Sequence, residues 1–358
     1  VSTNVLNLWG WSPYYKQNFQ KLADQSPELN LQPGRVIAEH KLSYTLITEN
    51  GELLGEVSGK FRFAATEREH YPAVGDWVAI SPRYSDGRAT IHAVLPRKSK
   101  FSRKAAGLTT DEQIVATNVD TIFLVNALNQ DFNMRRLERY LILAWESGAN
   151  PVIILSKADL VADPSVQIAA AESVAPGVPI FAVSAQNGSG LDALTPFLAP
   201  GQTTAFLGSS GVGKSSLLNR LAGRELQEVQ EIRADDDKGK HTTTHREIFL
   251  LPQGGLLIDT PGMREIQLWE SEDGLSEAFS DIEELAAQCR FADCSHKKEP
   301  GCAVKRALAS GTLDRSRYDS YRKLEAELVF LARKEEQKQR LQEKSARKDY
   351  KQGRDAYL

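Results

Sequence analysis

Gly208-Ser209-Ser210-Gly211-Val212-Gly213-Lys214-Ser215 fills every defined position of the pattern G-x-x-x-x-G-K-[ST]. That spacing admits few folds. It works where a buried strand turns sharply into a helix. The glycines there let backbone N–H groups close around phosphate oxygens, and the helix N-terminus adds partial positive charge. Both flanks comply: residues 203–207 (TTAFL) read as a buried strand and residues 216–221 (SLLNRL) as the start of an amphipathic helix. Lys214 is expected to reach the β- and γ-phosphates, and Ser215 to offer its hydroxyl to Mg2+. Gly208 through Ser216 are therefore the expected phosphate-binding set, in a site for a nucleoside triphosphate.

The base is specified elsewhere. Ser156-Lys157-Ala158-Asp159 follows the apolar run 151–155 (PVIIL) and so projects from a strand's C-terminal end, where open α/β sheets bind ligands. It resembles the [NT]-K-x-D motif by which GTPases read guanine. A carboxylate at Asp159 accepts from guanine N1–H and the 2-amino group, a donor pair that adenine lacks, while the Lys157 stem covers the ring. Losing such a pair costs a site about 10^4-fold in discrimination. Serine stands at 156 where Asn is usual; it keeps one hydrogen-bonding oxygen and loses the amide. Ser184-Ala185-Gln186 ends the next strand and resembles the S-A-[KLQ] motif whose backbone N–H contacts guanine O6. Asp259-Thr260-Pro261-Gly262 resembles D-x-x-G, in which Asp259 would hold Mg2+ through water and the Gly262 N–H would touch the γ-phosphate. Between them lies GKHTTTH (239–245), with the character of a γ-phosphate switch loop; Thr243 is the expected Mg2+ ligand, with Thr244 second.

At 358 residues the chain exceeds a single economical core, so several domains are expected. Residues 1–33 read as an extension with isolated aromatics and one short helix. Residues 34–98 show short alternating strands (RVIAEH, SYTLIT, ELLGEV, GKFRF, DWVAI, ATIHAVL) punctuated by Asn-Gly and Asp-Gly turns. They predict a small barrel, oligonucleotide-binding in type, with an SH3-like barrel as the second candidate. PRKSKFSRK (96–104) packs five basic residues before a polar connector and is read as a phosphate-contacting linker. From 99 to 270, apolar strands alternate with amphipathic helices, including MRRLERYLILAWES, SVQIAAAES and LDALTPFL, which predicts a parallel sheet covered on both faces. Residues 271–358 read as helical with a charged tail.

No run of eighteen apolar residues occurs, and the first residues lack a basic start and an apolar stretch. Neither a membrane span nor a signal peptide is expected, and the expected location is cytoplasmic. The net charge of -3 hides an asymmetry: from Cys289 to Leu358 there are 18 Lys and Arg against 11 Asp and Glu, so residues 1 to 288 carry about -10. An anionic partner is sought at the basic end. The three cysteines all fall there, as Cys289-x4-Cys294-x-His296-x5-Cys302. Three thiolates and an imidazole suit one tetrahedral Zn2+ in a closed structural site, stapling a module too small to build much core.

The order of the motifs is reversed. SKAD and SAQ precede the phosphate loop, which precedes TTT and DTPG, whereas the guanine-reading motifs normally follow it. A circular permutation of the same sheet explains this. With PRKSKFSRKAAG, GKHTTTHRE, DTPGMRE and CRFADCSHKKEPGCAV, the chain resembles the ribosome small subunit-dependent GTPases from about Gly34 to the C-terminal helices. The resemblance implies an N-terminal oligonucleotide-binding barrel, a permuted P-loop GTPase domain and a helical zinc module. It also implies GTP hydrolysis stimulated by the small ribosomal subunit during late maturation, and contact with that subunit's rRNA by a monomer.

Met263 stands where many GTPases carry the Gln that orients the attacking water, so the isolated enzyme is expected to be slow. His241 and His245 are the candidate substitutes. Two other classes compete: a metabolic P-loop kinase, for which no acceptor-binding insertion is evident, and a guanine-sensing RNA-binding scaffold with little hydrolysis.

Overall fold

The computed structural model describes residues 5–40, 43–65, 68–104, 112–223, 247–259, 275–276, 278–330 and 332–333. The chain forms two compact units, Val1–Gln267 and Leu268–Leu358.

In the first unit, strands β1 (Gln32–Glu39), β2 (Tyr44–Thr48), β3 (Gly51–Val57), β4 (Trp77–Arg83) and β5 (Arg88–Val94) close on themselves. The pairings run β1–β2–β3–β5–β4–β1, with β3 and β5 parallel and the rest antiparallel. This is the Greek-key order of an oligonucleotide-binding barrel. Val36, Leu46, Val78, Ile80 and Ile91 fill it, each fully buried. Burial of each such side chain stabilises the fold by about 1.5–3 kcal/mol.

GKFRF is not a strand. It forms helix α3 (Gly59–Ala64), capped by Ser58, whose Oγ accepts from Phe61 N at 3.1 Å. Alternation over five residues is too short to oppose a serine cap at the point where β3 must cross to β4. Phe61 packs edge-on against Tyr71, while Phe63 stays 92% exposed.

Residues 1–33 contain more order than one short helix. After α1 (Val5–Leu8), α2 (Pro13–Gln25) begins with Pro at its first position. Trp11 and Tyr15 lie 4.7 and 5.7 Å from Trp77, centroid to centroid. Arg35 secures the junction. Its guanidinium, only 1% exposed, donates to Trp9 O, to Gly75 O at 3.3 Å and to Thr203 Oγ1 at 2.9 Å. Burial pulls the Arg35 pKa down, opposed by Tyr15, Asp120 and Asp76.

Three cations of the basic linker meet partners within the fold, while the side chains of Arg103 and Lys104 lie outside the described residues. Arg97 clamps the buried Asp76 through two bonds of 2.9 and 2.7 Å and also donates to Glu69 O and Tyr71 O. Lys98 lies over the Tyr15 ring at 4.9 Å, and Lys100 pairs with Glu69 at 3.2 Å. The connector beyond is partly strand: β6 (Lys100–Lys104) pairs antiparallel with β7 (Glu112–Thr117).

Next come β8 (Thr121–Ala127), α4 (Met134–Ser147), β9 (Asn150–Ser156), α5 (Ser165–Val174) and β10 (Ile180–Ala182). β11 (Thr203–Leu207), α6 (Lys214–Ala222), β12 (Glu247–Leu250) and β13 (Leu256–Asp259) complete the order. LDALTPFL is a 3-10 helix rather than an α-helix, with Pro196 inside it. The sheet runs β10–β9–β8–β11–β13–β12 and continues into the barrel through one antiparallel pair, Ala38 opposite Glu247. All neighbours from β10 to β13 are parallel, and β12 is antiparallel to β13. Phe123, Val125, Val152, Ile154 and Leu217 form the core beneath the loops.

The second unit is helical: α7 (Ser280–Ala286), α8 (Ala303–Ser310) and α9 over residues 315–330. Arg317 on α9 grips Asp281 with bonds of 2.8 and 2.6 Å and lies over the Phe279 ring. Among the described residues no helix is long and apolar enough to cross a membrane.

Candidate guanine-nucleotide site and metal centre

Because β8, β9, β10, β11 and β13 are parallel, their C-terminal ends share one edge of the sheet. The 208–215 loop, the 156–159 turn, the 184–186 turn and the end of β13 at Asp259 all emerge there. The reversed sequence order thus collapses to one place.

The loop from Gly208 to Lys214 is shaped by its glycines. A Cβ at Gly208 would lie 2.6 Å from Val125 O, so only glycine lets the loop leave β11 against β8. Gly213 takes φ 95°, a left-handed value that turns the chain into α6. Val212 is buried in the core and pins the loop from below. Lys214 Nζ donates to the Gly208 and Ser209 carbonyls, each at 2.7 Å, so its ammonium already stands over the loop. Ser215 and Ser216 follow in the first turn of α6.

Ser156 is 2% exposed, and its hydroxyl donates to Val212 O at 2.6 Å, joining the base-reading turn to the phosphate loop. Lys157 adopts φ 59°, uncommon for a residue with a Cβ, and this left-handed step swings the chain into a 3-10 turn carrying Asp159. Ala158 N donates to Val183 O at 3.0 Å, and Ser184 donates its hydroxyl to Asp159 Oδ1. Ser184 Oγ also accepts from Gln186 N at 3.2 Å, which folds the SAQ segment into a turn beside Asp159. The three segments form one bonded assembly, with Asp159 at an exposed position. Thr243, Thr244, His241, His245, Gly262 and Met263 lie outside the described residues.

In the second unit, the ligand atoms of Cys289, Cys294, His296 and Cys302 all lie within 4.8 Å of one another. Cys289 Sγ is 3.8 Å from Cys302 Sγ and 3.6 Å from His296 Nδ1, which in turn is 3.4 Å from Cys302 Sγ. A tetrahedron with metal–sulfur bonds of about 2.3 Å has edges of about 3.8 Å, so the donors stand at the separations a metal ion needs. Two backbone N–H groups point at the sulfurs: Ala303 N donates to Cys289 Sγ at 3.3 Å and Lys305 N to Cys302 Sγ at 3.4 Å. Burial pushes the Cys289 thiol up, but the N–H groups of Val304 and Ala303 and the neighbouring thiols outweigh it and hold the pKa below its ordinary value. The cluster can hold a metal ion.

Sequence reasoning missed one residue at the nucleotide site. Arg136, on the first turn of α4, donates through Nη1 to Ser209 Oγ at 2.6 Å. No motif flags it, because it belongs to a helix whose pattern reads as packing alone.

Comparison with known proteins agrees with this arrangement. The RsgA GTPase family profile matches residues 94–269, and that of the 50S ribosome-binding GTPases matches residues 203–344. The small ribosomal subunit biogenesis GTPase RsgA of Opitutus terrae is 45% identical over 339 residues, covering 92% of this chain and 91% of its own. RsgA 2 of Lactiplantibacillus plantarum is 48% identical over 308 residues, 86% of each chain. Among solved structures, YjeQ from Thermotoga maritima aligns with a TM-score of 0.64 at 28% identity, covering 84% of this chain and 99% of that one. YloQ, described as a circularly permuted GTPase, gives 0.61 at 26% identity, with 85% and 96% covered. A five-stranded barrel, a phosphate loop preceded by its guanine-reading turns, and these matches over most of the chain lead to one statement: the protein is a circularly permuted GTPase of the RsgA family.

Proposed function

We propose that the chain hydrolyses GTP between the 208–215 loop and the 156–159 and 184–186 turns, as a cytoplasmic assembly factor acting on the small ribosomal subunit. The observation that carries the reading is the Ser156–Val212 hydrogen bond, which couples base-reading and phosphate-binding segments 56 residues apart. The partner follows from the names of the relatives, which are small ribosomal subunit biogenesis GTPases.

In this reading Asp159 accepts guanine N1–H and the 2-amino group, the Lys157 stem lies over the ring, and the Ala185 N–H meets O6. Backbone N–H groups from Ser209 to Ser216 hold the phosphates, and Lys214 exchanges its two carbonyl partners for β- and γ-oxygens. Ser215, in the first turn of α6, Asp259, at the end of β13, and Thr243 are the residues that would hold Mg2+. When bound, it would neutralise charge on the β- and γ-oxygens. Gly262 takes the γ-phosphate contact that its D-x-x-G position implies. With Met263 in place of the usual Gln, His241 or His245 orients the attacking water when the subunit engages that segment.

The metal centre is read as one structural Zn2+, because three thiolates and an imidazole leave no open position for chemistry. Phe63 and the basic residues around it are read as an rRNA contact of the barrel.

GTP turnover with and without purified small subunits tests the proposal, using wild type, His241→Ala and His245→Ala. Stimulation by small subunits that one substitution abolishes is the expected result. Absence of stimulation overturns the partner, and unchanged stimulation in both variants overturns the role of the histidines.

A further inference from the structure

One cation near the phosphate loop is unexplained by any motif. β8 and β11 are parallel neighbours, with Ile122 to Leu124 in register with Ala205 to Leu207, so α4 starts at the edge where the loop leaves β11. The start of α4 is fixed twice. Asn133 Oδ1 accepts from Arg136 N at 3.1 Å, and Asn126, 3% exposed at the end of β8, donates to Asn133 O at 3.2 Å. From that anchored turn the Arg136 guanidinium reaches Ser209 Oγ at 2.6 Å.

Ser209 is therefore held by two cations. Lys214 Nζ takes its carbonyl at 2.7 Å while Arg136 takes its hydroxyl. The lysine ammonium must reach the β- and γ-phosphates, so its position marks Ser209 as lying at that end of the cradle. The Arg136 side chain is 28% exposed, and its carboxylate partner, Asp131, is distant at 4.0 Å and itself 50% exposed. A guanidinium carries five donors in a planar fork suited to phosphate. Among the described residues one donor is spent on a neutral hydroxyl and Nη2 stands 4.0 Å from a half-exposed carboxylate, so compensation of this charge by described groups is weak.

We propose that Arg136 is a second cation of the phosphate site, tethered by Ser209, and that it favours a nucleoside triphosphate over a diphosphate by facing the added charge of the γ-phosphate. The inference rests on the reading of this site as a GTP site and adds a residue that sets its triphosphate preference. Through Asn133 and Asn126 the residue is anchored to β8, the parallel neighbour of both β11 and β9.

The test is equilibrium binding of GDP and of a non-hydrolysable GTP analogue to the full chain, with Mg2+ present, for wild type, Arg136→Ala, Arg136→Lys and Ser209→Ala. Arg136→Ala should weaken the triphosphate analogue about ten-fold while changing GDP less than about three-fold, as expected for loss of one charge-assisted contact. Arg136→Lys should recover part of the ratio by restoring the charge, and Ser209→Ala should lose part of it by releasing the tether. Equal weakening of both nucleotides, or no change in either, overturns the proposal, since a brace that only shaped the loop would not alter the ratio. If Arg136→Ala does not fold, the lysine and Ser209 variants decide the ratio alone. Wild type that binds neither nucleotide would instead overturn the GTP reading beneath the proposal.

Discussion

Ser156 donates its hydroxyl to the carbonyl oxygen of Val212 at 2.6 Å, and both residues are buried. The bond closes a loop of chain between the base-reading turn and the phosphate cradle. It also gives serine a defined role where Asn is usual: one short donor suffices to brace the cradle. Removing one partner of a buried hydrogen bond costs about 1–3 kcal/mol. Ser156→Ala should therefore weaken GTP and GDP alike by roughly 5- to 150-fold, with their ratio unchanged. Titration with a fluorescent guanine nucleotide checks this, and an unaltered affinity would show that the brace is dispensable.

The Arg97–Asp76 pair predicts a stability effect in the barrel. Asp76 is fully buried, takes two bonds from Arg97 and accepts from Ala73 N at 2.8 Å. Breaking one side of such a pair leaves a buried charge and costs about 3–5 kcal/mol. Asp76→Ala should lower the urea midpoint of the first unit by a corresponding amount. A shift smaller than about 1 kcal/mol would contradict the account.

Arg35 joins the N-terminal segment, the barrel and β11 through Trp9, Gly75 and Thr203. Arg35→Met keeps the stem but strands three buried acceptors, at about 1–3 kcal/mol for each one left unsatisfied. The segment before residue 33 should become sensitive to limited proteolysis while the rest of the unit resists. Equal protection in variant and wild type would argue against the role.

Acid should act on the second unit through two carboxylates. The Ser295 hydroxyl and the backbone N–H groups around it hold Glu299 down to about 2. The Ser316 hydroxyl and the Arg317 N–H likewise lower Asp314 at the start of α9. Folded pKa values below the unfolded ones stabilise the unit above about pH 4 to 5 and lose that contribution as pH falls through the folded values. A stability difference between wild type and Asp314→Asn should be present at pH 7 and shrink below about pH 4. A difference that grew on acidification would have the wrong sign. Metal should leave during the same descent, because the ligands must be deprotonated to bind it. Elemental analysis should find one zinc per chain at pH 7 and less in Cys302→Ser.

Much of the site was legible because its chemistry is local. The phosphate loop, SKAD and SAQ each sit at a strand end, and β9, β10 and β11 appear where apolar runs placed them. Cys289, Cys294, His296 and Cys302 converge as their spacing implied. Features that depend on distant partners were not readable. The cations of PRKSKF look like a free basic patch until Asp76 and Glu69 arrive from the barrel to meet them. GKFRF alternates like a strand, yet its helix is set by the Ser58 cap. Arg136 gains meaning only when β8 and β11 become neighbours, 73 residues before the serine it binds.

The most direct measurement is displacement of labelled GDP from the full chain by GTP and by ATP, for wild type, Asp159→Ala and Lys214→Ala. If the reversed segments form one guanine site, GTP displaces the label and ATP at equal concentration does not. Asp159→Ala should then abolish the preference for guanine, and Lys214→Ala should weaken phosphate-dependent binding. Displacement by ATP as readily as by GTP, or an Asp159→Ala variant that still prefers guanine, would contradict the account.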